Sequence, residues 1–229
     1  MRSAKTHTVL VTGAGRGLGQ EFARQYAADG WKVIGTVREA RAKAALTKLG
    51  AEAHIADVTD RKSIARLAAA LKGVPIDVLI CNAGIYGPRG MKLGRFDYDA
   101  WEEVLRVNLV GPAAVVEALL ENVAAGERRI VAMMSSRLGS IAEMRGGDYF
   151  YASSKAALNA LGKGLSVALA PRGITVVSLT PGWVRTDMGG KGAPLAPETS
   201  IRGMRKVIAG LSPEKSGTFI NYDGSEVPW

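Results

Sequence analysis

The chain has 229 residues, 47% of them hydrophobic and 22% charged, the balance of a soluble globular protein with one large core. Its formal charge of +9 invites a nucleic-acid reading, but nine Lys/Arg against three Asp/Glu in residues 1–50 put six of those charges there, with no long like-charge block and no basic stretch interleaved with aromatics. DNA and RNA are therefore set aside in favour of a small anionic ligand near the N-terminal third. The ~18-residue apolar run of a membrane span is absent. Residues 1–7 lack the apolar segment and cleavage site of a secretory signal, and the single Cys81 cannot form an internal disulfide, so the expected setting is cytoplasmic.

His7–Thr12 is a β-branched apolar run that predicts a buried strand. It feeds Gly13-Ala14-Gly15-Arg16-Gly17-Leu18-Gly19 and then a helix from Gln20 to Asp29, stopped by Gly30. A strand, a glycine turn and a helix N-terminus form an anion site, because the turn exposes backbone N–H groups and glycine admits a pyrophosphate closely. The next strand, Trp31–Val37, ends without the carboxylate that would hold a ribose 2′-hydroxyl; Arg38 follows instead. Arg16 and Arg38 together suit a 2′-phosphate, hence NADP(H) in preference to NAD(H), the alternative being two solvated surface arginines.

Further on, a helix is expected over 40–49, a strand over 52–56, and a helix from Thr59 or Asp60 to Leu71. Two readings stand for Asp57 at that strand end, beside Val58: contact with an adenine, or capping of the following helix. His54 reads as structural, and no metal constellation is expected from two histidines and one cysteine. Ile76–Cys81 is a strand ending in the small residues Asn82-Ala83-Gly84. Tyr98–Ala125 reads as one long helix, irregular around Asn108 and at Gly111-Pro112. Arg129–Met134 is a fifth strand ending at Ser135-Ser136, and a loop over 137–148 leads into a helix running to Ala170. Ile174–Leu179, a Gly/Pro-rich segment over 189–197, a helix over 197–211 and a strand over 217–220 complete the chain.

The alternation predicts a single Rossmann-type α/β domain over 1–229: one doubly wound parallel sheet of about seven strands with helices on both faces. Right-handed crossovers then bring Gly13, Asp57, Asn82, Ser136 and Pro181, all at strand ends, to one rim. Tyr151 and Lys155 lie four apart on one helix face there, so an ammonium can neighbour a phenol and lower its pKa, a pair suited to carbonyl or alcohol chemistry.

Taken together, Thr12-Gly13-x-x-x-Gly17-x-Gly19, Asn82-Ala83-Gly84, Asn108, the serine pair, Tyr151-x-x-x-Lys155 and Pro181-Gly182 resemble, in order and over nearly the whole chain, the short-chain dehydrogenase/reductases. The Ser-Ser-Arg-Leu-Gly-Ser-Ile loop and the residues from Tyr222 to Trp229 look like the bacterial C-factor group and the sniffer-type carbonyl reductases. The resemblance implies Tyr151 as general acid or base, Lys155 on the nicotinamide ribose, and Ser136 on the carbonyl oxygen. It implies that Asn108 bends its helix and holds a water. Gly13, Gly15, Arg16, Gly17, Leu18, Gly19, Arg38, Asp57, Val58, Asn82, Ala83, Gly84, Pro181, Gly182, Val184 and Thr186 would line the coenzyme. Most members place the serine thirteen residues before the tyrosine; here that position is Leu138, and Ser136 is fifteen before it, with Ser135 and Ser140 as alternatives. Tyr86, Met144, Trp183 and Met188 are candidates for an apolar substrate lining. The family implies a homodimer or homotetramer, and the C-factor likeness implies a second class of function, a dinucleotide-binding signalling protein with little turnover.

Overall fold

The computed structural model describes residues 6–229, so the leader reading, which rests on residues 1–7, falls mostly outside it. The strands are β1 (Thr8–Val11), β2 (Lys32–Val37), β3 (Glu52–Ile55), β4 (Val78–Cys81), β5 (Ile130–Met134), β6 (Thr175–Thr180) and β7 (Phe219–Asn221). They form one seven-stranded sheet in the order β3-β2-β1-β4-β5-β6-β7, every pair parallel. Val9 faces Val33 on one side and Val78 on the other, so the winding reverses between β1 and β4, and the crevice opens beyond their C-terminal ends.

Strand side chains alternate between two cores. Val9, Val11, Val78, Ile80, Ile130 and Ala132 pack with Phe22 and Tyr26 of α1 (Gly17–Ala28), Leu46 of α2 (Lys43–Thr47), and Ile201 and Met204 further along the chain. Leu10, Leu79, Cys81, Val131 and Met133 pack with Ile64 and Leu67 of α3 (Arg61–Ala70) and with residues of the later helices. Of the later helices, α5 (Gly111–Ala118), α6 (Leu120–Ala124) and α7 (Tyr149–Leu169) supply this second core, whereas α8 (Pro197–Ala209) carries Ile201 and Met204 of the first, and α4 (Tyr98–Leu105) precedes α5. Among the described residues, no helix is long and apolar enough to cross a membrane.

The expected elements shift in three informative places. α1 starts at Gly17, three residues early, because the glycine turn itself enters the helix. The 40–49 helix shrinks to α2 behind a tighter turn over Ala40–Ala42, where Glu39 makes no capping bond. The long 98–125 helix is interrupted by a wide turn at Arg106–Val110, centred on Asn108, and again at Leu119. At the β7 edge the segment after Asn221 folds back: Ile220 bridges Glu226 antiparallel, and the Val227 N–H donates to the Phe219 carbonyl at 2.8 Å.

Candidate active site

Thr12 closes β1 by accepting the N–H groups of Asn82 and Ala83 at 2.9 and 3.0 Å. Asn82 Nδ2 returns bonds to the carbonyls of Thr12 and Gly13, so the glycine turn is tied to the end of β4. Gly13 adopts φ 65°, and a Cβ there would meet Ala83 Cα at 3.0 Å. At Gly19 a Cβ would lie 2.5 Å from Asn82 Nδ2 and closer still to the Gly13 carbonyl. No side chain caps the first turn of α1, whose N–H groups therefore face the crevice.

The crevice is a cavity of about 990 Å³. Its wall includes Gly13, Arg16, Gly17, Leu18, Gly19, Arg38, Asp57, Val58, Asn82, Ala83, Gly84, Ser136, Tyr151, Lys155, Pro181, Gly182, Val184 and Thr186, so nearly all the expected positions converge. Gly15 stands outside this wall, where a Cβ would press on Val37 and Ala42 at 3.1 and 3.3 Å. Met144 is also absent from the wall, whereas Tyr86, Trp183 and Met188 belong to it. Asp57 does not cap α3: it accepts the N–H and hydroxyl of Thr59, both at 2.8 Å, and the cap is Asp60, on the Lys62 N–H at 2.9 Å. Arg16 makes an exposed ion pair of 3.1 Å with Asp187, also in the wall.

Three serines competed for one place, and their surroundings separate them. Ser136 works downward on the Tyr151 phenol and accepts the Leu138 N–H at 3.3 Å. Ser140 donates to the Pro228 carbonyl at 2.6 Å. Ser135 Oγ is buried without a hydrogen-bond partner. Asn108, fully buried, accepts the Ile85 N–H at 2.9 Å and donates to the Ile85 carbonyl at 2.8 Å and to Ser154 Oγ at 2.9 Å. Its side chain thus serves the loop after β4 rather than its own helix, which explains the wide turn around it.

A family model described as short chain dehydrogenase matches residues 7–194. The chain belongs to the short-chain dehydrogenase family. It is 47% identical over 156 residues to the C-signal protein of Myxococcus xanthus, covering 68% of this chain and 93% of that one. The carbonyl reductase Sniffer of D. melanogaster superposes with a TM-score of 0.91 at 33% identity, over 98% of this chain and all of the other. A NADPH-bound carbonyl reductase from chicken fatty liver gives 0.89 at 32% identity, over 99% and 100%.

In this short-chain dehydrogenase the titration of the central pair departs from the sequence expectation. Burial pushes the Tyr151 phenol up to about 12, with the Ser136 hydrogen bond and the Arg89 charge opposing it. Burial also pushes Lys155 down to about 8. Lys155 Nζ donates to the Met134 carbonyl at 2.7 Å and sits 5.5 Å from the phenol ring centroid. Sequence reading also missed Arg89; its only signal was a basic residue in the glycine-rich loop after Asn82-Ala83-Gly84.

At the opposite end of the sheet the fold joins residues that looked unrelated. His7, Asp77 and Glu127 bring potential ligand atoms within 4.8 Å of one another. Asp77 accepts N–H groups from Thr8, Glu127 and Arg128 at 2.8, 2.9 and 3.2 Å, so its carboxylate staples two other chain segments to its own.

Proposed function

We propose that the protein is an NADP(H)-dependent reductase of small carbonyl compounds, with Tyr151 as its general acid. The observation that carries this is the meeting of Tyr151, Ser136 and Lys155 in one cavity with an uncapped, glycine-entered helix. The donor set fits the coenzyme: free α1 N–H groups and close-approach glycines for a pyrophosphate, and Arg16 and Arg38 for a 2′-phosphate with no carboxylate at 37 or 38. Val58, Ala83, Gly84, Pro181, Gly182, Val184 and Thr186 would form the rest of its bed. When bound, the dinucleotide supplies a hydride.

The chain's own residues handle the oxygen. Ser136 and Tyr151 donate hydrogen bonds to the carbonyl oxygen, where negative charge develops. Tyr151 then releases its hydroxyl proton to that oxygen. A phenol held near 12 keeps its proton at neutral pH, which favours reduction; the reverse reaction needs phenolate and is expected to speed up toward alkaline pH. Lys155 orients beside the phenol, and Asn108 fixes the loop that follows β4.

The test is NADPH consumption with a panel of aldehydes, ketones and quinones. Tyr151→Phe should lower turnover by ~10² to 10⁴ while NADPH binding stays within a few-fold. Wild-type-like turnover in that variant rejects the role. A second reading, a dinucleotide-binding signalling protein, draws on the likeness to C-signal. NADPH binding without turnover of any panel member would favour it. Tyr98, Val110 and Val167, exposed apolar residues on the long-helix face and α7, support a homodimer or homotetramer, which light scattering measures.

A further inference from the structure

Beyond the family's reacting groups, the cavity holds an arrangement with no evident packing purpose. The Tyr86 ring lies 4.4 Å from the Tyr151 ring, nearly parallel at 13°. Arg89 Cζ stands 3.9 Å over the Tyr86 ring, and with Tyr151 on one face the guanidinium has room only on the other. We propose that Tyr86 and Arg89 are positioning residues for the Tyr151 phenol, the ring holding its plane and the guanidinium supplying a positive field behind it. This rests on the reading of Tyr151 as the proton donor.

Each layer is anchored from outside the stack. Asn108 grips both backbone groups of Ile85, the residue before Tyr86. Asp148, which raises the Tyr86 phenol, sits in a left-handed conformation (φ 47°) at the start of α7. Arg89 Nη2 donates to the Met188 carbonyl across the cavity mouth. A side chain that follows an anchored residue and has Arg89 over one ring face has little freedom left, and its other ring face is spent on Tyr151.

The charges around the phenol leave Arg89 an opening. Lys155, on the same helix, gives its ammonium to the Met134 carbonyl. Asp148 at the helix start engages Tyr86, while Glu103 of α4 and Asp187 of the segment after β6 line the wider cavity. Ser136 approaches from the end of β5. Arg89 is the cation that works downward on the phenol against its burial. Removing that charge disfavours phenolate, so the alkaline limb must move up.

The experiment measures pH profiles of alcohol oxidation and carbonyl reduction for wild type, Arg89→Gln, Arg89→Lys, Tyr86→Phe and Tyr86→Leu. NADPH affinity and thermal unfolding serve as controls for folding. Arg89→Gln should raise the midpoint of the oxidation limb by about half a pH unit, an effect that shrinks at high salt. Arg89→Lys should restore most of it. Tyr86→Leu should lower kcat on the order of 10-fold with KM for NADPH little changed, and Tyr86→Phe, which keeps the stack, should lose far less. Active variants with wild-type profiles and kcat overturn this inference alone. A wild-type protein that turns over nothing overturns it together with the reading it rests on.

Discussion

Replacing Asn108 with alanine tests whether one side chain holds the loop beyond β4. The amide makes three hydrogen bonds of 2.8 to 2.9 Å and is fully buried. Alanine leaves the N–H and carbonyl of Ile85 without partners, and each orphaned group costs about 1–3 kcal/mol. Both lie at the edge of the cavity, where water can reach them in part, so the lower half of the summed range applies, about 2–4 kcal/mol. For a chain of this size that amounts to a fall in Tm of roughly 5–15 °C, read by calorimetry of the coenzyme-free protein. Asn108→Asp sharpens the test. It keeps the shape and the acceptor for the Ile85 N–H, yet turns an oxygen toward the Ile85 carbonyl and toward Ser154, whose hydroxyl already donates to the Tyr151 carbonyl. The aspartate should therefore do no better than alanine near neutral pH. A Tm for Asn108→Ala within about 2 °C of wild type, or an aspartate variant as stable as wild type, would refute this reasoning.

Arg38→Ala should weaken NADPH binding about 10-fold or more and leave NADH nearly unchanged, since a charge-assisted pair with a phosphate is lost; fluorescence titration of both coenzymes decides it, and equal losses would count against a 2′-phosphate site. Asp77→Asn addresses the staple at the far end of the sheet. Burial works to raise the Asp77 carboxyl, but the N–H groups of Thr8, Glu127 and Arg128, with His7, outweigh it and hold it below the ordinary value. A carboxyl depressed in the fold lends stability above its unfolded value, and that stability fades as pH falls through the folded one. The asparagine variant should melt earlier at pH 7 and lose less on acidification below about pH 4, as pH-resolved Tm curves would reveal.

The central strand runs were legible because they are apolar on both faces, as a sheet covered on two sides requires, whereas β3 (Glu52–Ile55) is a polar edge. The rim was legible because glycine, asparagine, serine and proline interrupt those runs where a ligand would lie, and Gly13, Asp57, Asn82, Ser136 and Pro181 do meet in one wall. Contacts distant in sequence were not. Nothing local told Ser136 from Ser140; their surroundings differ only in the fold, where the Pro228 carbonyl takes the Ser140 hydroxyl. The four-residue spacing of Tyr151 and Lys155 fixed their shared face but not the direction of their titration. That direction follows from burial, which raises the phenol and lowers the ammonium. Turn glycines look alike in sequence, and only the fold shows that Gly15 packs toward Val37 and Ala42 while Gly13 approaches Ala83.

The returning segment at β7 has a consequence for behaviour at high concentration. By occupying the outer backbone groups of Phe219 and Asn221, it denies a neighbouring molecule the open ladder that edge-on accretion would need. The other margin, β3, is unsheltered but carries Glu52 paired with Lys32 and His54, so charge does there what a covering strand does opposite. Loosening either margin should expose the chain to sticking long before the cavity itself is disturbed.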